Sequence, residues 1–222
     1  MQLTSDPKFE ETYPQWSPDG KTIAFTRHSA QSPNAKTLWL MDPDGANPRQ
    51  ILEGNNLTRW LPDGSGIVYQ PSLKPEIFLY DLATGRTRQI PTQPDVVTFP
   101  TLSQDGQWIV YQATGEDVRN VDVHAVGLDG GQPRVVVSTP RQDLHPFFSP
   151  SGRWVYFQPD HRNLYRVPGP GQNWKPADPA RMTDFPESER FLEDPQFSRD
   201  GKQLLYARGK VSGDIWILKR GE

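Results

Sequence analysis

Along the whole chain, short apolar runs alternate with turn-forming residues. Typical runs are Ile23-Ala24-Phe25, Leu38-Trp39-Leu40-Met41, Ile67-Val68-Tyr69 and Ile77-Phe78-Leu79-Tyr80. They are rich in β-branched and aromatic residues, and clusters of Pro, Asp and Gly bound them. That pattern predicts strands joined by tight turns. No apolar stretch approaches the roughly 20 residues that a membrane-spanning helix needs.

The strands are organised as a repeat. One phrase reads Pro14-Gln15-Trp16-Ser17-Pro18-Asp19-Gly20, followed by Ile23-Ala24-Phe25. It recurs around Gly64, Gly106, Gly152 and Gly201, at steps of 44, 42, 46 and 49 residues. Ser-Pro-Asp-Gly places Pro second in a turn and Asp before a Gly that can take positive φ. The phrase therefore reads strand, hairpin turn, strand. In the first four copies a second half follows, such as Leu38-Trp39-Leu40-Met41, Asp42 to Gly45, then Arg49-Gln50-Ile51-Leu52. In the fourth copy the last strand is expected at Arg181-Met182-Thr183.

Four strands per copy and a period in the forties predict an all-β, five-bladed β-propeller of four-stranded antiparallel blades, with residues 1–222 as a single domain. The fifth copy shows only Asp214-Ile215-Trp216-Ile217-Leu218 after its hairpin. Gln2-Leu3-Thr4 resembles the missing outer strand, so the N-terminal strand is expected to close the last blade. Part of a six-bladed propeller is the alternative.

Composition narrows the functional classes. Hydrophobic content of 34 % and charged content of 23 % fit a folded chain, and 18 Gly and 23 Pro fit one dense in turns. The 24 basic and 27 acidic residues leave a net charge of −3 with no basic stripe, so nucleic acid is not an expected partner. There is no cysteine, which excludes disulfides and thiolate chemistry. Met1 to Asp6 does not read as a secretory signal.

The phrase Pro14-Gln15-Trp16-Ser17-Pro18-Asp19-Gly20 with Ile23-Ala24-Phe25, followed by Leu38-Trp39-Leu40-Met41-Asp42 and Asp44-Gly45, closely resembles the repeat of TolB-type propellers. The resemblance covers essentially the whole chain. Copy one matches best. Copy four departs most, with Ser151 in place of Asp and an insert from Pro168 to Pro179. The resemblance implies a propeller, a bacterial source and a periplasmic or extracytoplasmic location. It does not fix function, because the repeat also occurs in peptidase propellers, sensor domains and a few lyases. TolB's N-terminal α/β domain and sixth blade have no counterpart here, so its envelope role is not carried over.

The resemblance also implies that residues just before the repeated Pro sit near one mouth of a central channel. The candidate ligand-binding residues there are Glu11, Tyr13, Asn56, Phe99, Asp143, His145, Glu193 and Asp194. Capping of strand ends is the plainer reading of the same groups. Glu11, Asp143, His145, Glu193 and Asp194 would suit calcium or magnesium. They fall on three of five blades, so no resident metal or other cofactor is expected. A glycosidase needs two carboxylates across the sugar bond, and copies two and three offer only Asn56 and Thr98, with Asp95 as an outlier. Of the four histidines, His28, His124, His145 and His161, only His145 is expected at the mouth. The repeated Ser17, Ser103, Ser149 and Ser198 read as turn hydroxyls rather than nucleophiles. Trp16, Trp60, Phe148 and Phe197 are expected as core between blades. The loops that break the repeat are the other functional pointers: His28 to Lys36, Gly115 to Asn120, Pro168 to Pro179 with Trp174, and Thr183 to Phe191 with Phe185, Glu187, Glu189 and Arg190.

The expected function is that of a monomeric, non-enzymatic binding module for a protein or small ligand, with no catalytic residue assigned. A hydrolase or lyase acting on a saccharide or peptide through Asp143, His145, Glu193 and Asp194 is the alternative.

Overall fold

The structure, a computed structural model, describes residues 2–71, 76–93, 96–115, 117, 119–159, 161–171, 174–175, 177–185, 191–198, 200–209 and 214–219. These residues form strands, turns and loops, with no helix among them. The chain divides into two compact units, Met1–Thr92 and Gln93–Glu222.

The first unit holds two antiparallel sheets. One contains Phe9–Trp16 (β1), Ile23–Ser29 (β2), Ser32–Met41 (β3) and Arg49–Glu53 (β4). The other contains Asn55–Trp60 (β5), Gly66–Pro71 (β6), Ile77–Asp81 (β7) and Thr87–Ile90 (β8). In both, strands adjacent in sequence are adjacent in the sheet. Ala24, Leu38 and Leu40 of one sheet meet Ile67 and Tyr69 of the other, with Trp60 half-buried against them.

The second unit holds three sheets. Val96–Leu102 (β9), Trp108–Thr114 (β10), Val121–Gly127 (β11) and Gly130–Val137 (β12) make the first. Asp143–Phe148 (β13), Trp154–Pro159 (β14), Tyr165–Pro168 (β15) and Ala180–Arg181 (β16) make the second. Phe191–Phe197 (β17), Gln203–Gly209 (β18) and Asp214–Lys219 (β19) make the third. Val110, Val123 and Ala125 pack on Phe148, Val155 and Phe157. Tyr156 and Leu164 pack on Leu192, Leu204 and Tyr206. Each such side chain, fully buried, contributes roughly 2 kcal/mol through removal of apolar surface from water.

The repeated turn forms as its residues dictate. Gly20 donates its N–H to the Ser17 carbonyl at 2.9 Å and has φ of 71°. Ser17 Oγ donates to Asp19 Oδ1 at 2.7 Å and accepts the Thr22 N–H at 2.9 Å. Ser103 with Asp105, and Ser198 with Asp200, repeat this arrangement. The serines are turn hydroxyls. In copy four Ser151 replaces the carboxylate, and the corresponding contacts lengthen to 3.2–3.4 Å.

Four expectations change. Gln2, Leu3 and Thr4 enter no sheet, and the sheet of β17 to β19 has three strands. Leu3 packs instead beside Ile23, Phe25 and Met41. The fourth-copy outer strand is only Ala180–Arg181, because Thr183 turns inward. Its Oγ1 accepts the Leu164 N–H at 2.9 Å and donates to Asn163 Oδ1 at 3.1 Å. The segment His28 to Lys36 is mostly strand, with β2 and β3 meeting across Ala30-Gln31. Finally, Trp16 is 57 % exposed, so it is not core. Trp60, Phe148 and Phe197, by contrast, all pack against the sheet that precedes theirs in sequence.

Candidate functional site

The site begins with a backbone irregularity. In β1, β9 and β13 the strand pairing slips by an extra residue, between Thr12 and Gln15, between Thr98 and Thr101, and between Leu144 and Phe147. Each slip contains the residue before the repeated proline, and each of those residues is left-handed. Tyr13 has φ of 53°, Phe99 of 51° and His145 of 51°. L-residues reach this region at a cost of order 1–2 kcal/mol. A bulge with positive φ re-aims a side chain that a regular strand would bury or pair. The consequence is exposure: Tyr13 and Phe99 are two of the most exposed large apolar side chains among the described residues.

In the second unit these re-aimed side chains meet. The Phe99 ring lies 4.8 Å from the His145 imidazole, centroid to centroid, tilted by 60°. On its other side His145 meets His161 edge-on at 4.9 Å. His161 is itself left-handed, with φ of 56°, and its carbonyl accepts the Leu192 N–H at 2.7 Å. The result is a contiguous row of one phenyl and two imidazole rings. It combines an apolar π surface with groups that donate, accept and titrate.

His161 was not among the residues expected here. The sequence places it in a loop after Pro159-Asp160, where nothing in the repeat marks it. Positive φ at a histidine and the turn that reverses the chain from β14 into β15 bring it beside His145. Only the folded chain shows this.

Other candidates are engaged elsewhere. Glu11 accepts the Arg27 Nε–H at 3.0 Å, and the two side chains are 83–86 % buried. The Arg27 guanidinium also lies over the rings of Trp39, Phe9 and Phe25, at 4.4, 5.2 and 5.6 Å. Glu11 is therefore one half of a structural ion pair within the first sheet. Asp143 is fully buried and accepts the Thr139 N–H at 2.8 Å and the Thr139 hydroxyl at 2.9 Å. It caps the turn that enters β13. Glu193 and Asp194 lie in β17 at a slip of the same kind, between Glu193 and Gln196, and Asn56 lies in β5. The side chains of these three lie outside the described residues. So do Asp95, Glu187, Glu189 and Arg190.

Of the remaining histidines, His28 sits in β2 and His124 in β11. Burial pushes the His124 imidazole below its ordinary value, partly offset by the Asp122 charge. Its neighbour Tyr111 is 5.9 Å away, and burial raises that phenol to about 12. Among the described residues no three His, Cys, Asp or Glu side chains come together as a metal ion would require. Trp174, on the longest insert, is tucked in. Its indole N–H donates to the Pro168 carbonyl at 3.1 Å and its ring packs on the core beside Phe148 and Val155. Phe185 likewise packs against Tyr206, at 5.8 Å.

Relatives of known structure share the architecture. A putative TolB from Agrobacterium tumefaciens superimposes with a TM-score of 0.72 over 98 % of this chain and 79 % of that one, at 20 % identity. An oligogalacturonate lyase in complex with manganese superimposes with a TM-score of 0.69 over 91 % of this chain and 60 % of that one, at 17 % identity. In sequence, the chain is 29 % identical over 149 residues to an uncharacterized peptidase, YuxL, of Bacillus subtilis (strain 168). That match takes in 66 % of this chain and 21 % of the peptidase, so the chain spans about a fifth of that relative's length. The sequence profile of the TolB beta propeller domain matches residues 26–219. With five antiparallel sheets among its described residues and a hairpin turn that recurs at Gly20, Gly64, Gly106, Gly152 and Gly201, the chain belongs to the TolB beta propeller domain family.

Proposed function

We propose that this chain is a non-catalytic recognition module, and that Phe99, His145 and His161 form a ligand-contacting surface on its second unit. The observation that carries this reading is the left-handed backbone at Phe99 and His145. Two non-glycine residues accept strain at the same position of the repeat, and both gain an aromatic ring turned away from the sheet. Tyr13 carries the same distortion at the equivalent position of the first unit. Strain of this kind is held at binding and active sites, where the displayed side chain compensates functionally for its cost. A protein segment or a small ligand with an apolar face and a hydrogen-bonding edge suits these rings. An extracytoplasmic setting, as for TolB-type chains, is part of the proposal.

The contact between two imidazoles supports a second reading, in which they act as acid and base on a saccharide or peptide. One experiment separates the two. The purified chain is screened by NMR titration against peptide and oligosaccharide panels, and in parallel for turnover of both. The recognition reading expects shifts at Phe99, His145 and His161, weakened at least roughly tenfold in affinity by Phe99→Ala, with no turnover. Turnover abolished by His145→Ala would overturn it.

A further inference from the structure

His145 needs something to hold it in its left-handed state. At the slip in β13 the pairing with β14 passes from Leu144 opposite Gln158 directly to Phe147 opposite Tyr156. A residue inside such a bulge loses its ladder partner, and a buried backbone N–H must find another acceptor. The acceptor here is a side chain from the neighbouring sheet. The His145 N–H donates to Gln112 Oε1 at 2.9 Å. Gln112 lies on β10, is 6 % exposed, and pairs through its backbone with Thr98, next to Phe99.

Glutamine recurs at this position of the repeat. Gln112 directly follows Tyr111; Gln70 follows Tyr69, and Gln158 follows Phe157. All three glutamines are buried. A buried carboxamide that merely filled space would be costly beside the alternatives Leu or Met, because its polar atoms lose water. Gln112 offsets that cost through the His145 N–H, whereas at the equivalent position neither side-chain polar atom of Gln158 has a hydrogen-bond partner among the described residues, so the task belongs to Gln112 and its neighbour rather than to the repeat.

We propose that Gln112 is the positioning residue of the Phe99–His145–His161 row. Its Oε1 captures the His145 N–H, selects the left-handed conformation, and so sets the imidazole between the other two rings. Gln112 acts through His145 and itself touches no ligand. The importance of the row rests on the recognition reading above; the positioning role does not.

The test is made on the free, full chain, so it is independent of whether any ligand binds. The three-bond coupling between the His145 amide and α protons reports φ, and ring-to-ring NOEs report the contact between His145 and His161. Two variants are compared. Gln112→Met keeps the length and removes the acceptor; Gln112→Glu keeps an oxygen at Oε1. The expected result is that Gln112→Met loses both the left-handed coupling and the NOE, while Gln112→Glu retains them. Retention of both signals in Gln112→Met overturns the proposal. So does equal loss in both variants with the folded spectrum preserved, which would reveal a packing role only. If either variant fails to fold, the hydrogen bond is read directly in the wild-type chain, as scalar coupling or amide-exchange protection at His145. Absence of both there overturns the proposal as well.

Discussion

His161 meets His145 edge to face, with ring centroids 4.9 Å apart, although sixteen positions separate them and a hairpin lies between. The contact makes each imidazole a reporter on the other. Replacing His161 by Ala should remove ring-current shielding from His145 and leave thermal stability nearly unchanged, since both rings are only partly buried. Two-dimensional imidazole spectra of the wild type and the variant check this.

Trp16 and Trp60 occupy the same place in successive copies yet should respond differently to truncation. Trp60→Ala removes a half-buried ring whose Nε1–H donates to the Gln15 carbonyl at 3.3 Å. It should cost about 3 kcal/mol. Trp16→Ala, at a side chain 57 % exposed, should cost under about 1 kcal/mol. Urea unfolding of the two variants would decide it; similar losses would show Trp16 to be covered in solution.

The fourth turn can be repaired. Ser151 stands where three other copies that carry the turn serine have Asp, and its contacts to Ser149 Oγ and the Arg153 N–H are long, at 3.2 and 3.4 Å. Ser151→Asp should restore the short pair and stabilise the chain by roughly 0.5–1 kcal/mol. The readout is a higher urea midpoint at an unchanged denaturant slope.

Arg27 is held by Glu11 and three aromatic rings. Arg27→Met keeps the stem and removes the charge, leaving Glu11 buried without its partner. The loss should be about 3 kcal/mol. The double variant Arg27→Met with Glu11→Gln should recover much of it, and a thermodynamic cycle over the four proteins measures the coupling.

His124 should make stability pH-dependent. Its folded value is depressed, chiefly by burial, so the unfolded chain binds the proton more readily. Its contribution is then complete above the unfolded value, close to 6.5, and declines as pH falls below that toward the folded value. Comparing wild type with His124→Leu across this window should show a shallower acid-side slope in the variant. Identical slopes would contradict the depressed value.

Much of the fold was legible because it is local and repeated. Ser-Pro-Asp-Gly dictates its own turn, and the apolar runs beside Gly20, Gly64, Gly106, Gly152 and Gly201 became strands where expected. The serine–aspartate contacts span two residues and needed no tertiary information. Tyr13, Phe99 and His145 became candidates only through the resemblance, which marks the positions before the repeated proline; their left-handed backbone was not legible. Gln112 and Gln158 were passed over, because a polar residue inside an apolar run carries no label of what it will meet.

What the sequence determined by itself is therefore the family, the strands and the turns, since these depend on contacts between residues a few positions apart. The tertiary structure decided the rest. It paired Glu11 with Arg27, set Asp143 on the Thr139 turn, packed Trp174 against the core, left Trp16 exposed and brought His161 to His145. Some of these contacts are short in sequence, as Thr139–Asp143 and Trp174–Pro168 are, and others cross a hairpin, as Glu11–Arg27 and His145–His161 do. One-dimensional spacing does not encode them, because each depends on where a side chain points once strands have paired and sheets have packed.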